Sequence, residues 1–323
     1  MEDTVFVGSC AGIFYALNKA TGELRWSYDI RQDGKQISFH GNPLVVDDMI
    51  LIGTDHNCVP GGIGHVYAFE IKTGKVRWKY KTTSVPTDIV RIGQNVYFGS
   101  FQDNWYALRL QTGELVWKFS TGASNDNCYF VRSPVADQTS LYLTGLDGFV
   151  YSLDAMSGRI VWKRKLRSPP STALALKDKM LFVGSNDNRI YRLNTETGSI
   201  VAELSVEALP LGRITLTANG LMALLDNSSE RFGYVVSLTT DLKPIWQQKF
   251  SPEWASERPH VLGESVIVGN CRGEVAALSP LDGTSQWKLS LKGCIRSIGN
   301  SENKLFIGVQ EGTIYGYEFP PPK

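Results

Sequence analysis

The chain has 323 residues, with 33 Lys and Arg against 32 Asp and Glu, so its net charge is +1. This balance creates no overall field that favours nucleic acid or an anionic membrane surface. Hydrophobic residues make up 42% of the chain, and no apolar run approaches the roughly 18 residues that a membrane span needs. Composition therefore argues against a nucleic-acid binder and a membrane span, and predicts a soluble protein with a sizeable core.

The N-terminal segment and the cysteines bear on the cellular compartment. Met1 to Gly8 has no basic region before an apolar one and reads directly as a strand, so no secretion signal is expected. We expect a cytoplasmic protein, or a periplasmic or extracellular one if the N-terminus has been trimmed. The cysteines are odd in number, scattered and without a Cys-x-x-Cys pair, which favours buried or free thiols over a disulfide framework. They are Cys10, Cys58, Cys128, Cys271 and Cys294.

An internal repeat of about 40 residues dominates the sequence. Its clearest part runs from Ala16 to Trp26 and contains a strand end, a Thr-Gly turn and a second strand that ends in Trp. The stretch returns with the same spacing at Ala68 to Trp78, Ala107 to Trp117, Ser152 to Trp162 and Ala277 to Trp287. A period of this length indicates a repeat architecture rather than a series of unrelated domains.

Aligning the copies on Tyr15 yields eight repeats. The aligned positions are Tyr15, Tyr67, Tyr106, Tyr151, Tyr191, Val236, Ala276 and Tyr315. A short apolar strand precedes each position and ends in Gly, except in the sixth copy. Polar turn residues such as Ser185 to Asn188 separate the two strands, which is a hairpin signal.

Each repeat is predicted to contain four antiparallel strands, which we number first to fourth in chain order. Radial repetition of such sheets protects their edges and is typical of a β-propeller. The first repeat lacks its first strand and the last lacks its Trp strand. We predict one domain over residues 1–323, an all-β, eight-bladed β-propeller with two three-stranded blades. A seven-bladed arrangement is the alternative.

The Thr-Gly turns and the tryptophans have a mechanical explanation. Gly allows a positive φ in the tight connection between third and fourth strands. An indole on the fourth strand can lie across the neighbouring blade, and Gly at the end of the second strand is expected to permit that close approach. The predicted docking residues are Trp26, Trp78, Trp117, Trp162, Trp246 and Trp287. The pattern is interrupted at Ala202 and in the shortened sixth copy, where we expect looser seams.

The motif Ala-x-Asp/Asn-x-x-Thr-Gly-x-x-x-Trp resembles the tryptophan-docking repeat of the pyrroloquinoline quinone (PQQ)-like β-propellers. The resemblance covers essentially the whole chain. That family includes PQQ-dependent dehydrogenases, the non-catalytic propeller of an outer-membrane assembly lipoprotein, and sensor domains of bacterial kinases. The resemblance implies the fold, whereas the function depends on the residues of a site.

Dehydrogenase chemistry has little support in the sequence. The resemblance implies a vicinal Cys-Cys disulfide over the cofactor and a calcium ion held by Glu, Asn and Asp, but no two cysteines here are adjacent. A Cys-x-x-Cys-His haem motif is also absent, as are hydrolase, metalloprotease and phosphate-loop motifs. We therefore expect no cofactor and no catalysis. The alternative is a PQQ-dependent dehydrogenase, or a sensor, that holds PQQ with calcium or another anionic small molecule.

The long second repeat is a possible metal site. Imidazole, thiol and carboxylate groups are ligands for transition metals. The candidates are His40, Asp55, His56, Cys58 and His65. Their spacing matches no zinc pattern, so the other interpretation is a glycine-rich hairpin with solvated histidines.

Four arginines are aligned near the first strands, which line the central channel of a propeller. They are Arg132, Arg213, Arg258 and Arg296. Guanidinium groups at one level would attract a carboxylate or phosphate. Alternatively, each Arg reaches solvent or pairs with an acid of the next blade, for which Asp88 and Glu257 are candidates.

A third hypothesis concerns a protein partner. Loops that join fourth to first strands, including Asp29 to Gln36, should share one face with the insertion in blade two. Tyr28, Phe101 and Trp254 are the predicted aromatics of this face, and exposed aromatics often dominate binding energy. Trp254 has the alternative role of covering the seam at blade six. We predict a non-catalytic binding or scaffold module.

Overall fold

The computed structural model describes residues 3–56, 62–123, 132–227, 232–250 and 259–319. These residues form β-strands with one short 3-10 helix, Ile30–Asp33. Their strands make eight successive sheets, and the fold class is the predicted eight-bladed β-propeller of mostly four-stranded antiparallel sheets. No helix in these ranges is long and apolar enough to cross a membrane.

The chain divides into two compact units, Met1–Lys165 and Leu166–Lys323. Each unit carries four sheets, which we number as blades one to eight in chain order. The prediction of a single domain over residues 1–323 stays a prediction.

The first unit contains blades one to four. Blade one has three strands and the other three have four each, always in chain order. The strands are β1 Thr4–Gly8, β2 Ile13–Asn18 and β3 Leu24–Asp29; β4 Leu44–Val46, β5 Met49–Gly53, β6 Gly64–Glu70 and β7 Val76–Thr82; β8 Val90–Ile92, β9 Asn95–Ser100, β10 Asn104–Arg109 and β11 Leu115–Ser120; β12 Val135–Ala136, β13 Ser140–Thr144, β14 Phe149–Asp154 and β15 Ile160–Lys165.

The second unit contains blades five to eight. Its strands are β16 Thr172–Ala173; β17 Ala175–Lys177, β18 Met180–Ser185, β19 Arg189–Asn194 and β20 Ile200–Ser205; β21 Leu209–Thr217, β22 Gly220–Asn227, β23 Phe232–Leu238 and β24 Pro244–Phe250; β25 His260–Leu262, β26 Ser265–Gly269, β27 Glu274–Leu278 and β28 Ser285–Ser290; β29 Ile295–Ser301, β30 Lys304–Val309 and β31 Ile314–Glu318. Blade eight has three strands, as predicted. The short strand β16 pairs in parallel with β21 and adds an unpredicted fifth strand to blade six.

The repeated motif corresponds to one strand register. Ala16 lies opposite Trp26, and the ladder then shifts between Ala16 and Leu17. The side chain of Asn18 organises the turn, because its Oδ1 accepts from the amides of Ala20 and Thr21 at 2.8 and 3.1 Å. Gly22 completes the turn at φ +73°. The polar residue of the motif is therefore a turn former, and the turn sets the spacing between small residue and Trp.

Docked indoles join successive blades. Trp78 Nε1 donates to Leu110 O at 3.0 Å, and a Cβ added to Gly113 would lie 2.6 Å from the indole. Equivalent contacts join Trp26 to Ile71 and Gly74, Trp117 to Ala155 and Gly158, and Trp246 to Pro280 and Gly283.

The glycine that admits the indole is the turn glycine, so the prediction for the second-strand glycine was wrong. Gly53 at the end of β5 instead faces Val85, with a hypothetical Cβ 2.5 Å from Val85 Cγ1. The reason is position, because the indole starts from the outer strand of a sheet and the turn of the next sheet lies at the same outer margin.

Apolar cores lie between neighbouring sheets. Met49 and Leu51 of β5 pack in one buried cluster with Val96 and Phe98 of β9. Every residue of β5 is buried, because both faces of a middle strand are covered. This double coverage explains the continuous apolar runs that precede the glycines.

The cysteine prediction was wrong for one pair. Cys271 and Cys294 form a disulfide. The repeat explains their proximity, because Gly269 faces Ile295 and the amide of Ile295 donates to Asn270 O at 3.2 Å. Cys10 is a free, exposed thiol. Cys58 and Cys128 lie outside the described residues.

Candidate functional site

The loop between blades one and two begins with the 3-10 helix. Asp29 caps this helix by accepting from the amide of Arg31 at 2.9 Å, and Gly34 ends it. Gln36 then turns back into the protein, where it is completely buried. A group of polar side chains holds this loop, and we call it the loop anchor: Tyr28, Asp33, Gln36, Thr54, His65, Tyr67 and Lys79.

Asp33 receives three hydrogen bonds within the loop anchor. Its Oδ2 accepts from the hydroxyls of Tyr28 and Tyr67 at 2.6 and 2.9 Å, and its Oδ1 accepts from Lys79 Nζ at 2.5 Å. Burial opposes ionisation of Asp33, but the bonds from Lys79 and the two phenols outweigh it, so the pKa of Asp33 lies below its usual value. Burial and the facing carboxylate raise the pKa of both tyrosines. The carboxylate is thus ionised and the phenols stay protonated donors.

Gln36 connects the loop to blade two. Its Nε2 donates to Ile30 O at 2.7 Å and to Tyr67 Oη at 2.6 Å. Its Oε1 lies 2.6 Å from Thr54 Oγ1, which donates, and 3.1 Å from His65 Nδ1. Burial lowers the pKa of His65, so the neutral ring donates through Nδ1 to this amide oxygen. All these polar groups are used to hold the chain in place.

A second polar group lies beside the loop anchor, around Asp55. The Asp55 carboxylate has no exposed surface and lies 2.8 Å from His40 Nδ1. Ser84 Oγ donates to the other carboxylate oxygen at 3.1 Å and accepts from the amide of His56 at 3.0 Å. This arrangement fixes the end of β5 against the entry to blade three.

The structure brings together only part of the predicted metal ligands. His40 and Asp55 form a pair, whereas His65 faces Gln36 and the His56 ring packs edge-on against Phe101 with centroids 5.7 Å apart. Within the described ranges, no three His, Cys, Asp or Glu side chains are grouped to hold an ion. Cys58 is outside these ranges, and the metal hypothesis stays a prediction.

Three of the four predicted arginines are described. Arg132 is half-buried in the first unit. In the second unit, Arg213 lies half-buried in β21, and Arg296 is exposed in β29 and donates to Gln310 Oε1 from Nε and Nη2 at 3.2 and 2.6 Å. Asp88 accepts from the amide of Asn42 at 2.8 Å. Arg258 and Glu257 lie outside the described residues. Anion binding by these arginines stays a prediction.

The aromatic residues predicted for the partner face do not all reach the surface. Phe101 is only 7% exposed, so the expectation of an exposed ring was wrong there. It packs against His56 because it directly follows β9, at the seam with blade two. Tyr28 is half-buried, with its hydroxyl bonded to Asp33. Trp254 lies outside the described residues.

Sequence reasoning missed the loop anchor. Its members lie on four segments that the repeat alignment treats as separate blades or loops, and Asp33 and Gln36 belong to no repeated position. One signal was available, because Tyr28 on the fourth strand of repeat one and Tyr67 on the third strand of repeat two are both aromatics with a polar hydroxyl.

Successive sheets with docked indoles and Asx-type Thr-Gly turns place this chain in the class of PQQ-like β-propellers. The family profile described as "Outer membrane protein assembly factor BamB" matches residues 1–133 and 130–293. The chain therefore belongs to this family.

Comparisons with individual proteins agree with the family assignment. The chain is 23% identical to BamB of Yersinia pestis over 64% of its own length and 52% of that protein. A crystal structure of BamB from Moraxella catarrhalis superimposes with a TM-score of 0.79 at 19% identity, covering 99% of this chain and 95% of that one. Quinohemoprotein alcohol dehydrogenase ADH IIB of Pseudomonas putida is 36% identical, but over 27% of this chain and 12% of the enzyme. The chain thus spans about half of the curated BamB relatives and a small part of the dehydrogenase.

Proposed function

We propose that this chain is a non-catalytic propeller that binds a protein partner through the loop Asp29 to Gln36. The supporting observation is the chemistry of the loop anchor. Asp33 accepts three bonds, and Gln36 is bonded to four groups. Such saturated polar groups orient a loop rather than react with a substrate.

The outer side of the loop is available for contact. The Arg31 side chain is 54% exposed, and Gln32 and Lys35 are exposed as well. A loop that is already ordered loses little entropy on binding, so its side chains contribute more of their contact energy. Membership in a family named for an assembly factor supports the same class of function.

The test begins with the partner itself. The purified chain is used to capture proteins from an extract of the cells that express it, and each captured protein is then purified separately. Calorimetry with the purified partner compares the wild type with Arg31→Ala/Lys35→Ala. We expect the double variant to bind at least about tenfold more weakly. Lys179→Ala is the control, because Lys179 has a 75% exposed side chain on another blade, and its affinity should stay within about twofold.

A second measurement addresses the enzymatic alternative. The chain is mixed with PQQ and calcium, its visible absorption is recorded, and dye-linked oxidation of alcohols is assayed. We expect no bound chromophore and no activity above background. Saturable PQQ binding with turnover would refute the proposal in favour of the enzymatic alternative. The absence of any purified partner with saturable affinity would also refute it.

A further inference from the structure

The outer strand of blade four carries an unusual concentration of positive charge. Strand β15 has the sequence Ile-Val-Trp-Lys-Arg-Lys, and all of its residues except Trp162 are exposed. It is the edge of its sheet and pairs only with β14 among the described strands. Lys163, Arg164 and Lys165 follow one another without an acidic residue in the strand.

Two of these cations have no acidic partner in the described part of the chain. Lys163 Nζ and Lys165 Nζ each lie 5.0 Å from the centroid of the Phe149 ring. The two lysines alternate along the strand and share the face that carries Phe149 and Tyr151. Like charges held this close repel each other, so an anionic group between them would lower the free energy of the pair.

The corresponding strand of blade two is different. In β7, Arg77 pairs with Asp48, and Lys79 donates to Asp33 at 2.5 Å. Arg77 and Lys79 of β7 thus form ion pairs, whereas Lys163 and Lys165 lie over the Phe149 ring at a strand edge and have no acidic partner in the described part of the chain.

We propose that the edge of β15 binds an extended acidic segment of a protein partner by strand addition. This inference rests on the proposed function and names the chemistry of one partner. Backbone groups of an edge strand supply hydrogen bonds, and alternate side chains select the partner. A carboxylate at two alternate positions of the segment would lie opposite Lys165 and Lys163, which share one face of the sheet.

The same charges disfavour a second copy of this strand. Pairing β15 in parallel and in register with a second copy would place Lys and Arg opposite Lys and Arg, which destabilises a sheet. Lysines on an edge are a common protection against such self-pairing. The charge pattern therefore favours pairing of β15 with an acidic strand and disfavours pairing with a basic one.

The probe is a labelled peptide, acetyl-Glu-Thr-Glu-Thr-Val-Thr-amide, whose first, third and fifth side chains share one face. Fluorescence anisotropy measures its binding to the whole chain, and hydrogen exchange reports the amides of residues 160–165. We expect saturable binding and slower exchange in this strand. The Lys-Thr-Lys-Thr-Val-Thr peptide should not bind, and a peptide with Pro in place of the middle Thr should bind weakly because it loses main-chain donors.

The variants test the two lysines. Lys163→Glu/Lys165→Glu should weaken binding by roughly tenfold or more, since each exposed pair contributes a modest amount and reversal replaces attraction by repulsion. Lys118→Glu is the matched control, because Lys118 occupies the same register position as Lys163 in β11 and lies over Tyr106 at 5.5 Å. Circular dichroism checks folding, and Lys163→Gln/Lys165→Gln replaces the reversal variant if that one fails to fold.

Several outcomes would overturn the inference. They are unchanged binding in both lysine variants, an equal loss in Lys118→Glu, protection at other strands, or binding of an anionic oligonucleotide without protection of β15. The proposed function can survive this failure, since a purified partner whose affinity depends on Arg31 and Lys35 but not on Lys163 and Lys165 would refute only the strand inference. If the peptide protects β15 while no partner responds to the Arg31 and Lys35 variant, the proposed loop is refuted instead.

Discussion

Different interactions hold neighbouring blades together at two equivalent seams. One seam lies between blades two and three, and the other lies between blades seven and eight. In the first seam, the amide of Val85 donates to Thr54 O at 2.9 Å. The residues next to these in sequence, Ser84 and Asp55, form a second hydrogen bond, in which Ser84 Oγ donates to the Asp55 carboxylate. In the second, the amide of Ile295 donates to Asn270 O at 3.2 Å. The positions that correspond to Asp55 and Ser84 there are Cys271 and Cys294, which form the disulfide.

The outer parts of the two seams differ as well. Trp78 is 9% exposed and its indole donates to Leu110. Trp287 is half-buried, and its Nε1 has no hydrogen-bond partner in the described ranges. A packed indole and a buried polar bond thus hold the seam between blades two and three. A covalent bond supports the seam between blades seven and eight, whose indole is only half-buried. The repeat defines equivalent positions, and different chemistry can serve at each of them.

Truncating the two indoles should reveal the largest difference. We expect Trp78→Ala to lower the free energy of unfolding by about 3 to 5 kcal/mol, because it removes a buried indole from a packed core. Trp287→Ala should cost about 1 to 2 kcal/mol, because a half-buried ring loses less contact area and its removal eliminates an unsatisfied donor. Urea unfolding followed by circular dichroism measures both. Equal losses would contradict the proposed difference between the seams.

Removing the disulfide should have the next largest effect. Cys271→Ser/Cys294→Ser opens a link between residues 23 apart in sequence, and the expected loss is about 3 kcal/mol from the freed unfolded chain. Dithiothreitol should destabilise the wild type to the same extent and leave the variant unchanged. Cys10→Ser serves as the control, because Cys10 is a free, exposed thiol. A wild type whose stability does not respond to reductant would show that the crosslink contributes nothing.

The smallest expected effect is the difference in stability between two glycine variants. It distinguishes the cost of backbone strain from the cost of contact with an indole. Gly113 has a φ of +71° and Gly22 has a φ of +73°, and they occupy equivalent turns. Of the two, only Gly113 faces a docked indole. Gly22→Ala should cost about 1 kcal/mol through the positive φ alone. Gly113→Ala should cost about 1 to 2 kcal/mol more, because its Cβ would press on Trp78. Thermal unfolding of both variants measures the difference, and identical shifts would exclude an indole contribution.

The repeat was predictable because its determinants are local. Asn18 and Gly22 specify a turn through side-chain bonds and a positive φ within a few residues, so the spacing of the motif could be predicted directly from the sequence. The breaks at Ala202 and in the sixth copy were readable for the same reason, since Arg192 lies opposite Ala202 where other blades have Trp.

The candidate site was less predictable because its contacts join distant positions. His40 and Asp55 were selected as metal ligands from their residue type, but the fold pairs them with each other and turns His65 towards Gln36. Phe101 was expected at the surface from its loop position and is buried at a seam. Loop membership alone does not determine exposure when a loop side chain packs against a neighbouring blade, as Phe101 does against His56.

The sequence by itself determined the blade unit and the turn glycines, since hydrogen bonds and backbone preferences within about twenty residues encode them. Only the tertiary structure decided which equivalent positions hold Asp and Ser and which hold a disulfide, and only it assembled the loop anchor around Asp33. Those features depend on side chains that meet across neighbouring sheets, where the partner is chosen by packing rather than by local pattern.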